Sequence, residues 1–145
     1  MVLRGGDRPA GEDAADLQTW LLGLTGGPTV HQTALLACGQ HDDSEPLWHY
    51  VEADSSEGVA RRRCLACAHV VYALDSDDRW THPAMWACDG CGHSIVEVAA
   101  GLSSSDGEHV QWVVLGVRCI ECGRLAGITD LVLDDVPLDQ VMARI

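Results

Sequence analysis

The 145-residue chain has 22 acidic residues against nine basic ones, and all nine basic residues are arginine. The net charge of −13 disfavours nucleic-acid binding, because phosphate backbones are bound by lysine- and arginine-rich surfaces. A hydrophobic content of 47% excludes a disordered chain. No apolar run approaches the ~20 residues of a membrane span, and the first residues lack the apolar core of a signal peptide. We therefore expect a cytoplasmic protein without a membrane partner.

The first predicted element is a short amphipathic helix within residues 1–33, preceded by an N-terminal arm. Asp13 can cap its start, and Gly26-Gly27-Pro28 gives a stop signal. Its apolar stripe comprises Leu17, Trp20, Leu21 and Leu24. We expect this stripe to pack on the rest of the chain.

Four pairs of candidate metal ligands follow, each separated by two residues. They are Cys38-Gly-Gln-His41, Cys64-Leu-Ala-Cys67, Cys88-Asp-Gly-Cys91 and Cys119-Ile-Glu-Cys122. All seven cysteines belong to these pairs. An odd number of cysteines at this spacing favours metal binding in a reducing compartment over disulfides. Eight ligands suit two closed tetrahedral sites, so the sequence predicts two Zn²⁺ ions, with iron as the less favoured metal.

An internal repeat predicts how the pairs combine. Residues 34–41 resemble residues 84–91, and residues 63–67 resemble residues 118–122. His41 occupies the place of Cys91 in the other copy, which favours it as the eighth ligand. The repeat joins Cys38 and His41 to the second pair, and the third pair to the fourth. The rival arrangement joins the second pair to the third, and His69 or His93 could replace His41.

The repeat also organises the predicted strands into two units. Val, Ile and Trp runs between Gly, Ser and Asp breaks predict strands at residues 47–53, 59–63 and 70–74 in the first unit. The matching runs in the second unit are residues 94–100, 110–117 and 127–133. The units span residues 34–77 and 84–135, and Pro137 opens a C-terminal helix within residues 136–145.

The sequences Cys88-Asp-Gly-Cys91-Gly92 and Cys119-Ile-Glu-Cys122-Gly123 resemble the zinc ribbon family, with its rubredoxin-like knuckles. The resemblance implies a mainly β fold with short terminal helices, in which two tandem three-stranded zinc ribbons pack together. Gly92 and Gly123 would let the knuckles close, whereas the first unit has Ala68 at this place. Arg63 and Arg118 precede a cysteine in both copies, where they could compensate the thiolate charge.

A zinc ion with four protein ligands has no open position for water, so we expect no enzymatic activity. The leading hypothesis is a non-catalytic zinc-binding interaction module or regulator. It would dock through an acidic surface on a larger machine, of transcription or translation, whose surface is basic. One alternative is a rubredoxin-like iron electron carrier. Another is a nucleic-acid-binding zinc ribbon that uses the basic cluster Arg61-Arg62-Arg63. The sequence leaves the oligomeric state open.

Overall fold

The computed structural model describes residues 9–40 and 48–145. His41 and the predicted strand start at residue 47 lie outside these ranges. The described residues form a mainly β structure, as predicted, with two short helices. In chain order the elements are α1 (Ala14–Leu22), β1 (Gln32–Leu35), β2 (Trp48–Asp54), β3 (Val59–Cys64), β4 (Val70–Tyr72), β5 (Val96–Ser103), β6 (His109–Cys119), β7 (Leu125–Pro137) and α2 (Leu138–Ala143). Neither helix is long and apolar enough to cross a membrane.

The strands form one antiparallel sheet in the order β4-β3-β2-β5-β6-β7, with β1 beside β5. Each predicted unit supplies three consecutive strands, and the two halves join where β2 pairs with β5. The joining pairs are Trp48 with Glu97 and His49 with Val96. The two predicted units thus share one continuous sheet, and the packing of two tandem three-stranded zinc ribbons stays a prediction. The physical reason is that the first strand of each half offers unpaired backbone groups, which the other half satisfies.

The segments that precede the first and third ligand pairs are exchanged between the halves. Leu36 leads to Cys38, yet its N–H donates to Val98 of the second half at 2.9 Å. Trp86 leads to Cys88, yet its N–H donates to Val51 of the first half at 2.8 Å. We call these two segments, residues 32–36 and 84–86, the exchanged arms. Each arm pairs with a strand of the other half, whereas the cysteine that follows it belongs to the thiol cluster of its own half.

The first exchanged arm contains β1, a strand that the sequence analysis did not predict. Four residues with the pattern Gln-Thr-Ala-Leu carry no clear period-two alternation. The strand forms because β5 extends beyond its pairing with β2, so that residues 32–35 pair with residues 99–102. The other arm makes only an isolated bridge, between Met85 and Glu52.

Both faces of β5 and β6 are buried, which explains why β6 is apolar on both sides. On one face, Val98, Leu115 and Val117 belong to the main core between the halves of the sheet. On the other face, α1 covers Ala99 and Val114 with Leu17 and Leu21, which are fully buried. Gly116 permits this close approach, since a Cβ there would lie 2.9 Å from Leu21. The predicted packing of the α1 stripe is therefore confirmed.

The capping and stop residues in the sequence predicted where both helices begin but not where α1 ends. Asp13 caps α1 as predicted by accepting the Asp16 N–H at 2.9 Å. The helix ends at Leu22 with Gly23 as its C-cap, before the predicted stop at Gly26. At the other terminus Pro137 precedes α2 as predicted. The buried Val141 and Ile145 then attach this helix to the main core.

Candidate metal centres

Three of the four ligand pairs form turns with the same backbone hydrogen bonds. The residue after the second cysteine donates its N–H to the carbonyl of the first cysteine. These bonds join Ala68 to Cys64 (2.9 Å), Gly92 to Cys88 (2.7 Å) and Gly123 to Cys119 (2.8 Å). The first cysteine in turn donates its N–H to the carbonyl of His69, His93 or Arg124, respectively. Such a turn brings both sulfur atoms to one side, as a chelating pair requires.

Each of these turns needs a left-handed residue at its end. Gly92 and Gly123 have φ angles of 80° and 79°, and Ala68 has 64°. The departure from glycine in the first half therefore leaves the turn intact but places an L-side chain where glycine is favoured. The fourth pair, which begins at Cys38, extends into the undescribed residues 41–47.

Cys88, Cys91, Cys119 and Cys122 form a compact four-thiol cluster in the second half. All four Sγ atoms lie within 4.8 Å of one another. The Cys88–Cys122 and Cys91–Cys119 sulfur distances are both 3.5 Å. A disulfide would need about 2.05 Å, whereas a tetrahedral zinc with Zn–S bonds of about 2.3 Å separates its sulfurs by about 3.8 Å. The cluster therefore fits one tetrahedral metal ion of the soft, thiolate-binding class.

The electrostatics of this cluster also fit a cation. Burial opposes ionisation of Cys88, but the N–H groups of Gly90 and Cys91 help to lower the pKa of this thiol to about 7. At Cys91, the His93 N–H favours ionisation, but burial and the neighbouring thiols raise the pKa to about 12. Four thiols this close cannot all ionise without an opposite charge, because each thiolate disfavours the next. A divalent cation bound by the four thiolates would supply that charge.

The first half contains a three-thiol cluster of Cys38, Cys64 and Cys67, also with all sulfurs within 4.8 Å. Cys38 and Cys67 are 3.5 Å apart. The cysteines thus group as the repeat predicts, and the rival joining of the second pair to the third is wrong. The assignment of His41 as the fourth ligand stays a prediction, since it lies outside the described residues. His69 and His93 are exposed, and their backbone carbonyls take part in the turns.

The arginines predicted to compensate the thiolates have carboxylate neighbours instead. Arg118 Nε donates to Glu97 at 2.7 Å, and Arg63 lies 4.0 Å from Glu52 and over the ring of Tyr50. Their role towards the thiolates stays a prediction. The guanidinium that interacts electrostatically with Cys38 and Cys64 belongs to the neighbouring Arg62.

Arg62 is part of a buried polar contact that the sequence analysis missed. Burial lowers its pKa, and the thiols of Cys38 and Cys64 oppose this effect. Its Nη1 donates to Nε2 of His49, a residue that is only 1% exposed, at 2.9 Å. Its Nε donates to the carbonyl of Ile145 at 2.8 Å. The sequence signal that could have indicated a buried His49 was strand alternation, which places His49 and Val51 on the same inward face of β2.

A second missed contact places the N-terminal segment beside the four-thiol cluster. The Gly11 N–H donates to the Gly123 carbonyl at 2.8 Å, and the Leu125 N–H donates to the Pro9 carbonyl at 3.0 Å. Arg118 also reaches the Gly11 carbonyl. This segment carries no strand pattern, so only the tertiary structure reveals the contact.

A third group of potential ligands, Asp106, Glu108 and His109, lies in the turn between β5 and β6. Asp106 Oδ1 accepts the N–H groups of Glu108 and His109, both at 2.8 Å, and its Oδ2 contacts the His109 ring at 3.0 Å. These bonds are those of an exposed hydrogen-bonded turn, and they account for the grouping without a metal.

Comparison of the chain with protein-family models, curated proteins and solved structures gave no significant match.

Proposed function

We propose that this protein is a zinc-stabilised, non-catalytic interaction module of the cytoplasm. In this proposal, two zinc-ribbon-like halves are fused into one sheet that docks on a larger protein assembly. The observation that carries the proposal is the four-thiol cluster, whose sulfurs lie within 4.8 Å of one another. A metal held by four thiolates has no position left for water or substrate, so its contribution is to folding. Cys38, Cys64, Cys67 and His41 would hold the second zinc ion.

Zinc is favoured over iron because the two halves differ in their ligands. A site with three thiolates and the imidazole of His41 suits zinc better than a rubredoxin-type iron. The four-thiol cluster alone is compatible with iron. Purified protein that is colourless and contains two zinc equivalents by elemental analysis supports the proposal. A red protein that absorbs visible light would favour the electron carrier instead.

A protein partner is favoured over nucleic acid by the contacts of the only run of adjacent basic residues in the sequence. Arg61 is bound by Glu52 through two hydrogen bonds of 2.8 and 3.0 Å. Arg62 is partly buried and donates to His49 and Ile145. Arg63 is the remaining member, and Glu52 lies 4.0 Å from it. Together with the net charge of −13, these contacts leave little positive charge for a phosphate backbone.

The proposal is tested by capturing the tagged, zinc-loaded protein from its own host, with and without nuclease. We expect a protein partner in constant ratio that survives nuclease and is lost when a chelator removes zinc. A mobility shift with DNA or RNA at low salt, with a steep salt dependence, would instead assign the nucleic-acid alternative. Variants Cys91→Ser and Glu121→Gln form a matched pair, since both residues are exposed in the same region but only Cys91 is a proposed ligand.

A further inference from the structure

Arg63 of β3 lacks partners that its counterpart in the second half has. Arg63 lies opposite Tyr50 of β2. At the matching place in the second half, Arg118 of β6 lies opposite Glu97 of β5. The segment before α1 also reaches Arg118, whose Nη1 donates to the Gly11 carbonyl at 3.4 Å. The Arg118 side chain is 13% exposed, whereas that of Arg63 is 41% exposed and accessible to another molecule.

Arg63 also lacks a carboxylate of its own. Glu97 accepts a hydrogen bond from Nε of Arg118 at 2.7 Å, but a tyrosine stands at the matching place beside Arg63. The carboxylate of Glu52 lies 4.0 Å from Arg63 and already accepts two hydrogen bonds from Arg61. Among the arginines in the described ranges, Arg63 alone makes no hydrogen bond to a described group, and its Nε is buried without a partner. Its Nη groups are therefore available to an anion from outside the chain.

Aromatic and aliphatic side chains surround this guanidinium. Val51 of β2 faces the main core, so strand alternation places Trp48 and Tyr50 on the opposite, outer face. Arg63 lies over the Tyr50 ring, 6.0 Å from its centroid, and opposite Val70 of β4. Trp48 is 37% exposed and Val70 is 36% exposed. We call Trp48, Tyr50, Arg63 and Val70 the arginine face, in which apolar side chains flank an accessible cation.

The composition of the arginine face indicates the kind of ligand. A phosphate backbone is bound by several lysines or arginines, and this face has one unpaired cation. A carboxylate fits the two Nη groups of a guanidinium, and an apolar neighbour fits the surrounding rings and Val70. A second copy of this chain would bring its own charge of −13 and be repelled. A partner that is basic overall, with one carboxylate in the docked segment, avoids this repulsion.

We propose that the arginine face docks a short segment of a partner protein that carries one carboxylate beside an aromatic or aliphatic side chain. The carboxylate binds Nη1 and Nη2 of Arg63, and the apolar neighbour packs on Trp48 and Val70. The inference rests on the proposed function as an interaction module, and it names the surface and the chemistry of the partner segment.

The test uses the full-length zinc-loaded protein and a displayed library of random nine-residue peptides. Selected peptides are synthesised with their acidic residue intact or replaced by its amide. Each form is titrated against wild type, Arg63→Gln and Arg79→Gln. Arg79 is the matched control, because its side chain is 43% exposed and its loss changes the net charge equally. Amide shifts in NMR spectra locate the bound peptide.

A second variant keeps the test independent of the metal site. Arg63 directly precedes the proposed ligand Cys64, so zinc content and circular dichroism verify the folding of each variant. Val70→Glu leaves Arg63 in place and sets a carboxylate against that of the peptide. It should therefore weaken binding by charge repulsion without a change beside the cysteine.

We expect enrichment of peptides with aspartate or glutamate beside an apolar residue, and amide shifts that cluster at the arginine face. Arg63→Gln and Val70→Glu should each weaken binding about tenfold, as loss of a charged hydrogen bond does. Arg79→Gln should leave binding unchanged. Replacing the peptide carboxylate should weaken binding to wild type but not to Arg63→Gln, since both changes remove the same contact.

Equal binding to wild type and Arg63→Gln would overturn this site while leaving an interaction role at another surface intact. Failure to enrich acidic peptides, or self-association of wild type that Arg63→Gln abolishes in sedimentation, would also contradict the inference. Tighter peptide binding after Asp42, Asp43 and Glu45 are changed to their amides would assign the arginine face to the chain's own acidic segment instead of a partner.

Discussion

Trp86 donates its backbone N–H to the carbonyl of Val51 across the two halves of the sheet, at 2.8 Å. The equivalent bond joins Leu36 to Val98 at 2.9 Å. Each exchanged arm is therefore paired with a strand of the other half, although it leads two residues later to a cysteine of its own cluster. We therefore expect the stability of each half to depend on the thiol cluster of the other.

We expect the two metals to leave together. When a chelator removes one ion, the released arm also uncovers the opposite half, so the second site loses support. Titration with a strong chelator should release both zinc ions and the strand signal in one transition, measured with a zinc indicator and circular dichroism. Release in two separate steps, with half of the strand signal surviving the first, would show that the halves fold independently.

Gly123→Ala should cost more stability than Gly92→Ala, although both glycines have φ near 80°. An alanine in this conformation costs about 1 kcal/mol by itself. At Gly92 a Cβ meets nothing within 4 Å, whereas at Gly123 it collides with the Gly11 carbonyl. The free energy of unfolding in guanidinium chloride, measured with zinc in excess, gives the difference. Equal losses would mean that the N-terminal segment does not pack against this turn.

Ala68→Gly should stabilise the first half. It removes the left-handed strain of Ala68, at the cost of some entropy of the unfolded chain, for a net gain of about 0.5–1 kcal/mol. Ala66→Gly is the control, because Ala66 lies in the same turn without a positive φ and should lose stability. Thermal unfolding of both variants with zinc in excess provides the comparison. A destabilised Ala68→Gly would contradict the left-handed turn.

Removal of the predicted eighth ligand should lower the zinc content of the protein by one equivalent. His41→Ala and Cys38→Ser should each retain one zinc equivalent instead of two, because three remaining ligands bind a structural zinc far more weakly. His69→Ala should retain two, since the contact of His69 in the turn uses its backbone carbonyl. Elemental analysis after dialysis measures the metal content. Two equivalents in His41→Ala would make His69 the next candidate.

The turn between β5 and β6 should titrate with pH independently of the metals. The hydrogen bond that the His109 ring donates to the Asp106 carboxylate raises the pKa of His109 above its usual value of 6.5. The ion pair therefore contributes stability that is fully present below about pH 6.5 and is lost as the pH rises through the folded pKa. An NMR titration should show the raised pKa of His109 in wild type and a lower value in Asp106→Asn. The same pKa in both proteins would exclude this ion pair.

Most of the strands and the grouping of the cysteines could be predicted because the signals are local. Strand-forming runs and turn residues act over a few neighbours, and two residues between cysteines let both sulfurs face one metal. The α1 cap at Asp13 is equally local. The prediction was incomplete at β1 and at the Pro9–Gly11 contact, where backbone groups pair with a distant strand or turn. Such pairing uses N–H and C=O groups that every residue type has, so side chains barely encode it.

The sequence by itself determined the four ligand pairs, the duplication that assigns them, and the acidic character of the surface. The tertiary structure decided that both halves share one sheet, that the arms before Cys38 and Cys88 cross between them, and that Arg62 approaches the thiols of the first cluster. The reason is physical. Ligand spacing and charge are properties of the chain, whereas the exchange of arms depends on which unpaired strand edge lies nearest when the chain folds.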